Sequence, residues 1–193
     1  MAADPHRLFM SVEEYLELDR NSLDARYEFI DGAVIMLAGG TTNHSRISIN
    51  VVSLLSAALR GSPCEVFNSD LRVSISGSRY LLPDASVSCD PNDQEGENDI
   101  IYSPCLIVEV LSPSTEATDR GKKFRYYQSC PSIQEYVLIS TQEQVVDVYR
   151  RASDNLWTLH PFGPGDEVEL KSVNISIPLE ALYENVTLPR ENA

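Results

Sequence analysis

Apolar and polar positions change period several times along this chain. Ile47, Val51, Leu54, Leu55 and Ala58 recur three and four apart. That is the spacing of one helix face and predicts a helix over residues 42–60. Gly61 stands where a left-handed C-cap would, and Pro63 bars continuation. Val12, Tyr15 and Leu16 predict a shorter helix, opened by a capping box between Ser11 and Glu14. Leu71, Val73 and Ile75 alternate with Arg72, Ser74 and Ser76, the period of a half-exposed strand. A further strand is expected over residues 80–88. Asp31-Gly32 separates two β-prone runs, residues 27–30 and 33–37, and predicts a hairpin because a primed turn needs positive φ.

The strongest apolar run, residues 105–111, reads Cys-Leu-Ile-Val-Glu-Val-Leu. Continuity without alternation marks a strand buried on both faces. Residues 116–129 then read as a helix with Phe124 and Tyr127 on one side, and residues 136–140 and 144–149 as strands. Strands and tight turns follow Trp157, and a short helix closes the pattern near residues 179–184. Residues 90–99 carry no apolar residue except Pro91 and are expected to form a mobile acidic loop. Without repeat or linker, residues 1–193 read as one mixed α/β domain.

Charge alters this picture in one respect. With 15 basic and 29 acidic residues the formal net charge is −14. A surface that binds nucleic acid broadly is basic, so contact with DNA or RNA requires a local basic strip or a metal ion. Adhesion to an anionic membrane is disfavoured. No run approaches the roughly 18 consecutive apolar residues of a membrane span, and the N-terminus shows no export signal. Cys64, Cys89, Cys105 and Cys130 form no C-x-x-C pair. Four reduced thiols in a cytoplasmic protein are the expectation.

Three features carry chemistry. Glu109 is the only charge in its apolar run, and a buried carboxylate must be paired, protonated or metal-bound. Asp84, in Leu82-Pro83-Asp84-Ala85, reads alone as a turn residue. If its strand neighbours that of Glu109, the two acids converge on a hard oxygen site of the kind Mg²⁺ or Mn²⁺ takes. Arg120-Gly121-Lys122-Lys123-Phe124-Arg125 holds four basic residues in six positions and two of the chain's three lysines. Such a run is ordinarily a solvated helix face, with Asp119 and Lys123 paired four apart. Alternatively one lysine points at the acids.

The order helix, three strands, helix, strand, with acids on the second and third strands, resembles the core of the PD-(D/E)xK nuclease superfamily. Within it the chain resembles the large "putative restriction endonuclease" family, once a domain of unknown function. The matching segments are Tyr27 to Gly32, His44, Pro83-Asp84, Leu106 to Thr115, Asp119-Arg120-Gly121-Lys122-Lys123 and Glu135-Tyr136. The resemblance implies a restriction-endonuclease-like fold with an N-terminal hairpin and C-terminal strand additions. It implies a homodimer that hydrolyses DNA phosphodiester bonds, with Mg²⁺, or Mn²⁺ in its place, held by Asp84 and Glu109. The Val110 carbonyl is a further donor, and Glu28 an accessory acid at the metal. Leu111 stands where the superfamily motif has its lysine. The resemblance implies that Lys123, and not Lys122, supplies that group from the following helix. Against these roles, Glu28 reads as a hairpin carboxylate facing water and His44 as a helix-start residue. The competing reading of the whole is a catalytically silent fold with a binding or accessory role.

Overall fold

The computed structural model describes residues 8–153 and 156–189; the first residues of the chain, part of the segment read as lacking an export signal, lie outside them. The chain opens with β1 (Leu8–Phe9) and α1 (Val12–Asn21). The capping box forms as expected: Ser11 Oγ accepts the Glu14 N–H, and the Glu14 carboxylate accepts the Ser11 N–H. The hairpin of β2 (Tyr27–Ile30) and β3 (Ala33–Met36) turns on Asp31 and Gly32, both at positive φ. Then come α2 (Thr42–Ala58), β4 (Glu65–Asn68), β5 (Arg72–Ser76), β6 (Arg79–Leu81) and β7 (Ala85–Ser88).

The alternating run forms β5 as expected; Ser69-Asp70 separates it from β4, where the Asn68 side chain accepts the Asp70 N–H and turns the backbone. The expected strand 80–88 divides at Leu82-Pro83-Asp84, because Pro83 has no N–H for a ladder. Its two halves, β6 and β7, enter different sheets.

A 3₁₀ turn (Pro91–Gln94), β8 (Ile100–Ile101) and β9 (Pro104–Val110) follow. The segment expected to be a mobile loop is instead tied down. Asp93 is buried and accepts hydrogen bonds from Ser88 Oγ and the Tyr102 and Ser103 N–H groups. Asp99 pairs with Arg20 and Arg72. Asp93 and Asp99 thus bond neighbouring elements, while Glu95, Gly96 and Glu97 stay exposed. The next helix is composite: α3 (Glu116–Thr118), a π turn (Asp119–Lys123) and α4 (Phe124–Ser129). The rest comprises β10 (Glu135–Ile139), β11 (Val146–Arg151), β12 (Trp157–Phe162), β13 (Glu167–Leu170), β14 (Ile175–Pro178) and α5 (Leu179–Leu182).

One sheet has the order β1-β3-β2-β6-β5-β8; the other runs β12-β11-β10-β9-β7-β4; β13 and β14 pair separately. In the second sheet β9 and β10 are parallel, and β7 is antiparallel to β9. The architecture is mixed α+β, with mixed sheets flanked by helices. Central β9 is buried on both faces, as its apolar run requires. Leu106, Val108 and Val110 share a core with Ile47, Val51 and Leu55 of α2. Ile107 and Leu111 pack with Tyr127, Tyr136, Val73 and Leu81.

Cys64 and Cys89 form a disulfide, while Cys105 and Cys130 are free. This corrects the expectation of four reduced thiols. The β4–β7 register pairs Glu65 with Ser88, so one further step sets Cys64 opposite Cys89. That cross-strand relation is invisible in a sequence separation of 25. The argument from unpaired cysteines to a reducing compartment loses its support. Among the described residues no helix is long and apolar enough to cross a membrane.

Candidate active site

Glu109 lies one residue from the end of β9, on the face shared with Ile107 and Leu111. It is 5% exposed. Its Oε1 accepts hydrogen bonds from Tyr127 Oη at 2.7 Å and Lys123 Nζ at 3.0 Å. Lys123 Nζ is also 2.9 Å from Glu28 Oε1 and 3.7 Å from Asp119 Oδ1. One ammonium therefore meets three carboxylates. Glu28 Oε1 additionally accepts the Leu82 N–H at 3.2 Å. Glu28 is buried, so the hairpin carboxylate does not face water.

The π turn brings Lys123 there. The Phe124 N–H reaches back five residues to the Asp119 carbonyl, which widens the helix by one residue. Such turns concentrate at functional sites. Phe124 stacks on Tyr136 with ring centroids 5.9 Å apart and meets Trp157 edge-on at 5.7 Å. Tyr127 packs 4.8 Å from Tyr136. These rings fix the helix against β10 and β12, with Lys123 turned inward and Lys122 exposed.

Asp84 occupies the break between β6 and β7. The β7–β9 register pairs Ala85 with Val108, so its continuation sets Asp84 across from Glu109. The Asp84 carboxylate accepts the Val110 N–H at 2.7 Å and the Ser48 hydroxyl at 3.3 Å. His44 Nε2 stands 3.4 Å from Asp84 Oδ2. Thr41, not His44, caps α2. Asp84, Glu109, Lys123, His44 and Asp119 all line one cleft of about 550 Å³.

Electrostatics divide these groups. Burial pushes Glu109 up to about 8 against the pull of Lys123, and the charges of Asp119, Asp84 and Glu28 push the same way. Burial opposes the charge on Lys123, but Glu109, Glu28 and Asp119 outweigh it and hold the amine protonated well above its ordinary range. In this arrangement the three carboxylates favour the charged form of Lys123. Asp84 favours the charged form of His44 and raises its pKa against burial. Burial raises Asp119 and, together with Glu109, keeps the Tyr127 hydroxyl protonated as a donor.

A model of the family described as "Putative restriction endonuclease" (Uma2) matches residues 12–180. The chain belongs to this family. Two uncharacterized proteins of Synechocystis sp. are similar to it: slr1290 is 40% identical over 92% of this chain and 93% of its own length, and sll1609 is 32% identical over 86% and 95%. The fold is similar to the crystal structure of a "putative nuclease belonging to DUF820" from Anabaena variabilis. That match has a TM-score of 0.76 and 23% identity, and covers 92% of this chain and 99% of that one. The Uma2 chain thus has a nuclease-like fold.

The residues singled out in the sequence, Asp84, Glu109, Lys123 and Glu28, come together, and Lys122 stays apart. His44, read there as a helix-start residue, reaches Asp84. The hydroxyl of Tyr127 and the wall formed by Asp119 were not foreseen. Tyr127 reads as helix packing, and only the three-dimensional approach of α4 to β9 shows its hydroxyl on Glu109. Among the described residues no group of three or more His, Cys, Asp and Glu encloses a metal position. Two carboxylates facing one cleft still make the partial oxygen shell that Mg²⁺ accepts, since that ion keeps waters and substrate phosphate as its other ligands. The donor set fits the ion.

Proposed function

We propose that this Uma2 chain is a metal-dependent endonuclease acting on DNA phosphodiester bonds. One observation carries the reading: Lys123, arriving from the helix after β9, reaches Glu109 in the cleft that Asp84 lines, replacing the lysine that Leu111 cannot supply. Asp84 and Glu109 would hold Mg²⁺ or Mn²⁺, with the Val110 carbonyl as an added donor. When bound, the ion would polarise the phosphate and lower the pKa of its water. Lys123 offers permanent positive charge to a phosphate oxygen. Tyr127 orients Glu109 through its hydrogen bond. Glu28 we assign to holding Lys123 rather than to the metal, because it meets Lys123 and the Leu82 N–H and does not line the cleft that Asp84 and Glu109 face. His44 lies beside Asp84, whose carboxylate favours its charged form. Local charge of this kind is what a chain of net charge −14 requires to receive a polyanion.

A second reading, a silent homodimer with a binding or accessory role, is favoured by one feature. Lys123 is already matched by three carboxylates, which leaves less of its charge for a phosphate. Nicking of supercoiled plasmid and cleavage of single-stranded DNA, with Mg²⁺, Mn²⁺ or a chelator, separates the two. Metal-dependent cleavage supports the nuclease. DNA left intact under every metal condition supports the silent fold.

A further inference from the structure

Three of the four cysteines meet at one place remote from the acids, at the opposite end of the same strands. Cys64 precedes β4, Cys89 follows β7, and Cys105 lies in β9; β7 runs between the other two strands. Cys64 and Cys89 are bonded, and the Cys105 thiol lies 3.7 Å from Cys89 Sγ, at van der Waals contact. The ladder explains how Cys105 comes to face Cys89. Val87 pairs with Leu106 but Ser88 pairs with Pro104, so the register shifts and Cys105 is the extra residue of a β-bulge. A bulge re-aims the side chain it carries. Here the Cys105 thiol also donates to the Val87 carbonyl at 3.4 Å.

We propose that Cys64, Cys89 and Cys105 form a thiol–disulfide exchange site in which Cys89 is the shared half-cystine. The Cys105 thiolate attacks Cys89 Sγ, and its electron pair becomes the new Cys89–Cys105 bond. The Cys64–Cys89 bond breaks, its pair leaves on Cys64, and Cys64 takes up the proton that Cys105 gave to water. No external oxidant or reductant enters. The strand order suits this displacement, because Cys105 approaches from β9 while the leaving sulfur lies on the β4 side of Cys89. Exchange moves the crosslink from β4–β7 onto β7–β9, the strand pair that leads to Asp84 and Glu109. The site depends on neither metal nor DNA, so it stands apart from the nuclease reading.

The thiolate is the attacking species. Burial pushes Cys105 up to about 11, and the Glu135 carboxylate on β10 adds to that shift while hydrogen bonds to the Cys105 and Leu106 backbone oppose it. Exchange is accordingly slow at neutral pH and accelerates about tenfold per pH unit below that value.

The test is disulfide mapping by mass spectrometry of the folded, oxidised protein, trapped with an alkylating agent after incubation at pH 7 and at pH 9. The expected result is a Cys89–Cys105 peptide with alkylated Cys64, growing roughly a hundredfold faster at pH 9. Cys64→Ser, oxidised with glutathione disulfide, should close Cys89–Cys105 within the monomer. Cys105→Ser should show only Cys64–Cys89. Cys64 that is never alkylated in the wild type at pH 9 overturns the proposal. A Cys64→Ser protein that carries glutathione on Cys89 without closing the second bridge overturns it independently.

Discussion

A Cβ placed on Gly40 would stand 2.9 Å from His44 Nδ1, closer than the two atoms can approach. The imidazole that reaches Asp84 therefore occupies space only glycine leaves open. A ring on a flexible stem can move aside at small cost, so Gly40→Ala should unfold within about 1 kcal/mol of the wild type. Its His44 should titrate nearer the ordinary histidine value, because the carboxylate that raises its pKa is no longer beside it. The His44 ring resonances followed by NMR against pH check this. An unchanged titration would show that the ring keeps its place despite the added methyl.

The buried acid Glu109 makes a prediction about pH. Its pKa in the folded chain is raised from 4.5 to about 8, so between those values the folded state holds a proton that the unfolded state has released. Stability then falls as pH rises through that window. The contribution is fully present below about 4.5 and is lost above about 8, with an upper bound on the order of 5 kcal/mol. Urea unfolding of the metal-free protein should show this decline. Glu109→Gln, which cannot ionise, should flatten it, and an equally steep decline in that variant would place the titration elsewhere.

Metal binding should carry the opposite slope. A ligand carboxylate must be deprotonated, so Mn²⁺ affinity should rise with pH up to about 8, with release of a proton per ion bound. Calorimetry in buffers of different ionisation enthalpy measures that proton. Binding without proton release would exclude Glu109 as the ligand.

Away from the cleft, Arg72 is buried and pairs with both Asp19 and Asp99. Asp19 is buried too, so Arg72→Ala strands its charge and should cost about 3–5 kcal/mol. Asp99→Ala should cost about 1 kcal/mol or less, because that carboxylate is half exposed and partly screened. Chemical denaturation of both variants, with cleft variants as controls, tests the ranking.

Much of the site was legible because chemistry broke a pattern. Glu109 interrupts an apolar strand, and the spacing from Asp119-Arg120 to Lys123 is one shared with a known family. What stayed hidden depends on register. Asp84 reads as a turn until β7 is laid against β9, and Cys64 and Cys89 look unrelated until β4 is laid against β7. The π turn left no mark in the apolar spacing, which continues through Phe124 and Tyr127 as in a plain helix. In the acidic segment before β8, Asp93 satisfies backbone donors and Asp99 two arginines, a use of charge that composition does not distinguish from solvation.

Lys123 is assigned to supply the charge missing at Leu111. The most direct measurement is plasmid cleavage with Mg²⁺ and Mn²⁺ by the wild type, Lys123→Met and Lys122→Met, each shown to be folded and to bind Mn²⁺. Lys123→Met should retain metal binding and lose about 10²–10⁴ in rate. Lys122→Met, altered on the exposed side of the helix, should fall only a few-fold, by an amount that added salt masks. Equal losses in the two variants, or a wild type that leaves DNA intact with either metal, would rule out this role for Lys123.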